Sequence, residues 1–196
     1  MKKLFFILMI SYGGCVIAQT LQEPVNLNTY YQSDIPNNVY VKDIYNLYAP
    51  YVGEWESVFE GKTILFKIQK LTHLEQSFPD GSHYYQDMLI IKYRVTDIAS
   101  GVVLASTLEH LNPNTVSLSS VGVGIDINDL IFQYYDVERC NFSASISLIR
   151  NGNNSNQLFY KFESNENFID PDCPFYNQGV VNLPVPKTDV VFTRVN

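Results

Sequence analysis

Residues 52–68, VGEWESVFEGKTILFKI, decide the reading of the whole chain. Side chains on a strand alternate between two faces, so a period of two in polarity marks a half-buried strand. Gly53, Trp55, Ser57 and Phe59 fall on one face, and Glu54 and Glu56 on the other. Glu60-Gly61-Lys62 supplies a tight turn, after which Ile64, Phe66 and Ile68 alternate with Leu65, Lys67 and Gln69. Two such runs joined by a short glycine-containing turn predict a hairpin with a defined inner face.

The same pattern extends along the chain. Leu89, Ile91, Tyr93 and Val95 alternate with Lys92 and Arg94 after the turn cluster Pro79-Asp80-Gly81-Ser82. Further strands are predicted at 102–107, 116–118, 130–135, 143–149, 158–162 and 190–195. Eight or nine strands at short spacing form an antiparallel meander, because parallel strands need long crossovers. A sheet with one apolar face must close on itself or pack on a second sheet, and closure also removes exposed edges. An up-and-down β-barrel is therefore favoured over a sandwich. Its predicted inward set is Trp55, Phe59, Phe66, Ile68, Leu89, Ile91, Tyr93, Ile146, Leu148, Tyr160 and Phe192. Residues 38–49 are read as a short helix ahead of the first strand, with Lys42, Asp43 and Asn46 solvated and Pro50 limiting its extension.

The 196 residues suffice for one domain, predicted to span 39–196 behind a polar lead-in at 19–38. Residues 1–18 read as a secretory signal: Lys2 and Lys3, then the apolar run 4–18, with a cleavage site at Val16-Ile17-Ala18. That run is too short to span a bilayer comfortably, and no transmembrane segment is expected after its removal. Tyr12-Gly13-Gly14-Cys15 offers a second outcome, lipidation at Cys15, although Tyr12 stands where an aliphatic residue is usual. The chain is thus expected to be secreted or periplasmic, with a lipid anchor through Cys15 as the alternative. Its two remaining cysteines, Cys140 and Cys173, are an even count in an oxidising compartment, which points to a disulfide rather than two buried thiols. With 13 basic and 20 acidic residues the net charge is −7, which argues against nucleic acid as a partner.

Gly53-Glu54-Trp55, at the head of the first strand, resembles the G-x-W signature of lipocalin-like barrels. In such barrels the Trp closes one end, and a basic residue of the last strand packs across its ring. The resemblance implies that role for Arg194. Tyr40-Val41-Lys42-Asp43, Asn46, Tyr51 to Trp55, Tyr84-Tyr85-Gln86-Asp87 and the final Val190-Val191-Phe192-Thr193-Arg194 together resemble a family of uncharacterised exported bacterial proteins, a domain of unknown function. Glu54 and Tyr48 depart from residues common there, Thr and Leu respectively. The resemblance carries no activity.

Few residues are arranged for catalysis. His73, His83 and His110 show no i, i+4 or H-E-x-x-H spacing, and all three are expected to be solvated. No nucleophile elbow or phosphate loop is present, and Gly122-Val123-Gly124 has Ile127 where a dinucleotide fingerprint needs glycine. Glu54 and Glu56 sit roughly 6.5–7 Å apart by strand rise, on the face expected to be wet. Asp126, Asn128 and Asp129 are too few oxygen ligands for a calcium loop and read as a polar turn. Asn141-Phe142-Ser143 and Asn153-Asn154-Ser155 match the glycosylation sequon but mean little in a bacterial protein. No catalytic residue, metal or cofactor is expected.

The chain is accordingly read as an exported barrel that binds and does not catalyse. A small hydrophobic ligand would be lined by Phe66, Tyr93 and Tyr160. The alternative is a filled barrel acting as a protein-interaction module through surface tyrosines such as Tyr134 and Tyr135.

Overall fold

The computed structural model describes residues 23–27, 35–109, 118–123, 128–164, 171–176 and 183–195. Its strands are β1 (Val25–Asn26), β2 (Tyr40–Lys42), β3 (Gly53–Phe59), β4 (Lys62–Ser77), β5 (His83–Asp97), β6 (Val103–Ser106), β7 (Leu118–Val123), β8 (Asp129–Asp136), β9 (Phe142–Arg150), β10 (Gln157–Ser164) and β11 (Val190–Arg194). The signal segment and Cys15 lie outside the described residues.

The strands form one sheet in the order β1-β2-β5-β4-β3-β11-β10-β9-β8-β7, and β7 returns to pair with β5. Eight strands therefore close an antiparallel barrel, as the alternation predicts. The β3–β4 hairpin turns at Glu60 and Gly61, both at positive φ (48° and 72°), the combination that matches strand twist in a two-residue loop. β6 and β7 share one place in the barrel wall, both running along β5: Arg94 faces Ser106 and Ile90 faces Ser119. Buried hydroxyls help to fill this interrupted ladder. Leu89 N donates to Ser120 Oγ (2.8 Å) and Tyr93 N to Thr107 Oγ1 (2.8 Å).

The inward set is the one predicted. Trp55, Phe66, Ile68, Leu89, Ile91, Tyr93, Ile146, Leu148, Tyr160 and Phe192 are buried, with Phe59 partly so. Leu118, Leu130, Phe132, Tyr134 and Ala144 join them. Tyr134, expected on the outer surface, is fully buried, whereas its neighbour Tyr135 is exposed.

Trp55 plugs one end of the barrel. Its indole N–H donates to Tyr51 O (2.7 Å), and the Arg194 guanidinium lies 4.1 Å over its ring. Arg194 also donates to Val52 O (2.9 Å) and Pro50 O (2.6 Å), tying the last strand to the approach to the first. Gly53 has φ +135°, and a Cβ there would lie 2.6 Å from Arg194 Nη1. Gly53→Ala is therefore expected to cost roughly 1–3 kcal/mol, from backbone strain and displacement of Arg194. Equilibrium urea unfolding checks this, and an unchanged midpoint would refute it.

The predicted helix at 38–49 is absent. Tyr40–Lys42 is a strand laid parallel on β5, and the chain then winds through turns to Tyr51. Asp43 is the reason. Expected to be solvated, it is 3% exposed and gathers the loop around its carboxylate. Leu47 N (2.7 Å) and Tyr48 N (3.2 Å) donate to it, as does Lys70 Nζ (2.9 Å). A second buried carboxylate, Asp87, accepts from Tyr40 Oη (2.6 Å), Asp43 N (3.1 Å) and His73 N (3.2 Å), and lies 3.4 Å from the same Lys70 ammonium. β4 and β5 run past the barrel as a long two-stranded arm, interrupted by a bulge between Leu71 and Leu74. This clasp pins the base of the arm to β2. Burial and the Asp87 carboxylate push the Tyr40 hydroxyl up to about 12. Burial alone would raise Asp87, but the hydrogen bonds from Tyr40, Asp43 and His73 and the charge of Lys70 hold it below the ordinary carboxylate range.

Candidate functional site

The barrel end opposite Trp55 collects the Glu60-Gly61 turn, the turn between β5 and β6, the Val137–Arg139 turn and part of the long connection between β10 and β11. Cys140 and Cys173 form the expected disulfide there, with Cα atoms 6.0 Å apart. Further along the same connection, Leu183 and Val185 are buried against the barrel core, and Tyr160 Oη donates to Pro186 O (2.8 Å) from within the barrel. Two anchors, one covalent and one apolar, hold this segment at the barrel mouth. The disulfide contributes about 2–4 kcal/mol on the chain-entropy account.

Beneath the mouth lies a satisfied polar group. Asp136 ends β8 and caps the short 3-10 turn through Val137–Arg139, accepting from Arg139 N (3.1 Å). Its other oxygen accepts from Tyr134 Oη (2.6 Å) and Arg139 Nη1 (2.6 Å). Burial and the adjoining carboxylate push the Tyr134 hydroxyl far above its ordinary range, so it stays protonated and donates. Burial likewise raises Tyr160. These phenols act as fixed donors, not as acids.

Above them is a cavity of about 510 Å³. Its apolar walls are Phe59, Ile64, Val95, Leu104, Ala105, Leu183 and Val185, and its charged groups are Glu60, Lys62, Arg139 and Lys187. Burial lowers the Lys187 amine. The volume lies within the range of about 300–1,000 Å³ occupied by small-molecule sites.

The three residues expected to line a ligand do not face this cavity. Phe66, Tyr93 and Tyr160 sit in the packed core: Phe66 stacks on Phe192 (4.3 Å between ring centres) and tilts against Tyr160 (6.0 Å). Gly53, Trp55 and Arg194 come together at the other end. Sequence reasoning missed Lys62, Arg139, Lys187 and the Leu183–Val185 plug. The one available signal was Leu183-Pro184-Val185-Pro186, a short alternation that prolines disguise as a loop.

The histidines build no centre. His73 is exposed and stacks on Tyr85 (4.3 Å), with Tyr40 edge-on (4.7 Å), and His83 is edge-on to Tyr85 (5.9 Å). His110 and Asp126 lie outside the described residues. Glu54 is ion-paired with Lys67 (3.2 Å) on the half-exposed outer face. Among the described residues no group of three His, Cys, Asp or Glu side chains could hold a metal ion, and no helix is long and apolar enough to cross a membrane.

The model of a family of unknown function (DUF6705) matches residues 1–195. No curated protein and no solved structure matches the chain.

Proposed function

We propose, for a chain that belongs to this family of unknown function, that it is an exported, non-catalytic barrel holding one small apolar ligand at its disulfide-bearing mouth. The carrying observation is the cavity of about 510 Å³ with mostly apolar walls, set above a core of buried aromatic and aliphatic side chains. Export is supported by the charged-then-apolar N-terminus and by a disulfide of the kind that persists in oxidising compartments. The non-catalytic reading is supported by His73 and His83, neither of which lines the cavity, and by the absence among the described residues of any His, Cys, Asp or Glu cluster that could hold a metal ion.

Ala105 is half-buried on β6 with its methyl group in the cavity wall, so a bulkier side chain there fills the space. The neutral dye N-phenyl-1-naphthylamine is expected to brighten and saturate with the purified protein. Ala105→Trp is expected to abolish that response while leaving the far-ultraviolet circular dichroism unchanged. Absence of a response in the unmodified protein, or its survival in the variant, would refute the proposal.

A second reading, a protein-interaction module, is favoured by an exposed apolar row on the outer wall. Phe159 faces Val191 across β10 and β11, and Val58 lies beside Val191 on β3. All three are at least 40% exposed, side by side instead of scattered.

A further inference from the structure

We propose that the barrel mouth docks on a lipid bilayer of no net charge, with the turns around the cavity sunk among the headgroups and the Trp55 end held in water. This inference goes beyond the carrier reading and does not depend on the cavity holding a guest.

The first support is where the apolar surface lies. Among the described residues, the large aliphatic side chains more than half exposed are Val58, Ile98, Val102, Val103, Leu104 and Val137, at 52–70%. All of them stand at the mouth. Val58 flanks the Glu60-Gly61 turn, Ile98 and Val102 belong to the β5–β6 turn, Val103 and Leu104 to the strand that leaves it, and Val137 opens the short 3-10 turn. Ile98 N–H donates to Gly61 O (3.0 Å), which sets the first two turns side by side. Exposed aliphatics scattered singly are ordinary on any surface, whereas aliphatics gathered at one end form a patch of the kind that marks an interaction site.

The second support is shape. These side chains project from three separate turns around a hollow, not from one flat face: Leu104 is itself in the cavity wall, as is Arg139 of the 3-10 turn. A rigid protein partner would have to match every projection and the hollow between them, whereas a fluid bilayer conforms to each. Tyr135 and Tyr176 are exposed at the same end, the first beside Asp136 at the end of β8, the second bonded through its N–H to Cys173 O beside the disulfide. Tyrosine joins an apolar ring to a polar tip and gathers where lipid chains meet water.

The third support is charge. Lys62 stands opposite Asp97 across β4 and β5, and Arg139 is bonded to Asp136, so these mouth cations are met by carboxylates of the protein itself. Glu60 and Asp189 are exposed nearby, and the chain as a whole carries −7. An anionic surface is therefore repelled, and a surface of no net charge suits the apolar rim.

The test is partition of the purified protein onto sucrose-loaded phosphatidylcholine vesicles, separated by centrifugation. The protein is expected to sediment with the vesicles, and the Ile98→Asp, Val102→Asp double variant to need roughly tenfold more lipid for half-binding. Val195→Asp, exposed at the Trp55 end, is expected to bind like the parent. Orientation has its own readout, which does not depend on the aspartate variants folding. In vesicles of brominated phosphatidylcholine the Val102→Trp variant is expected to lose fluorescence, whereas the parent, whose only tryptophan is Trp55, is expected to keep it. Absence of binding by the parent, equal loss in the double variant and Val195→Asp, or quenching of Trp55 in the parent would overturn the proposal. So would tighter binding to phosphatidylglycerol that salt abolishes, or a dimer that the double variant dissociates in a protein that ignores vesicles.

Discussion

Trp55→Ala is expected to destabilise the barrel by about 3–5 kcal/mol, the usual range for truncating a buried large aromatic side chain. Three losses combine. The indole is fully buried, so its removal leaves a void at the plugged end. Its N–H is the donor to Tyr51 O, which would lose that partner inside the fold. Its ring is also the surface beneath Arg194, the residue that binds Val52 O and Pro50 O and so joins the last strand to the first. Tyr51 extends the effect across the barrel, since its hydroxyl donates to Asn128 O (2.5 Å) ahead of β8. With total stabilities near 5–15 kcal/mol for ordinary domains, such a loss is a large fraction of the whole. Urea unfolding followed by circular dichroism measures it, because Trp55 is the only tryptophan and cannot report on its own absence. A loss below about 1 kcal/mol would show that the end plug contributes little.

Lys70→Met is expected to cost a similar amount, about 3–5 kcal/mol at neutral pH, the range for removing one member of a buried ionic group. Met preserves the apolar stem and removes only the ammonium. Two carboxylates whose side chains are 0% and 1% exposed, Asp43 and Asp87, then face each other without their shared cation. The pH dependence gives the sharper check. In the unmodified protein Asp87 titrates below its ordinary range, so its contribution is present above the unfolded-state carboxylate value. That contribution is lost as pH falls through the lower folded-state value. Without Lys70 one of the causes that hold Asp87 down is gone and Asp43 stands close by without a shared cation, so Asp87 rises relative to the parent and its protonation relieves the repulsion. The stability gap between variant and parent should therefore narrow as pH is lowered from neutral to about 4.5. A gap independent of pH would mean that packing of the lysine stem, rather than its charge, holds the clasp.

The barrel was readable wherever one side of a strand is dry and the other wet. Trp55 and Ser57, Phe66 and Ile68, or Ile146 and Leu148 declare their face because water contacts every second neighbour. The same rule shortened β4 and β5 in the sequence reading. Residues 70–77 and 83–87 are largely polar, and the arm they form is held by backbone pairing, the Asp43–Lys70–Asp87 clasp and the Tyr40–His73–Tyr85 ring cluster. Asp43 was unreadable for a related reason. Its environment depends on Asp87, 44 positions away, and a carboxylate bears no mark of whether a partner waits for it. Tyr134 and Tyr135 differ only in strand parity. A tyrosine suits either side, so parity had to come from their neighbours Leu130 and Phe132. The mouth was the least readable part. Lys62, Arg139 and Lys187 have no periodicity in common and meet only once the barrel has closed and Cys140 is joined to Cys173.

The pairing of β3 with β11 sets a timetable. Val195 N–H is engaged by Glu54 O of the chain's earliest barrel strand, Arg194 N–H by Asn156 O just ahead of β10, and Arg194 stands opposite Trp55. A ribosome must finish almost the whole polypeptide before the wall can become continuous, and until then the outer edge of β3 waits unpaired. For a molecule that crosses a membrane as proposed, such lateness is useful: a nascent chain unable to lock itself shut stays threadable until it reaches the far side.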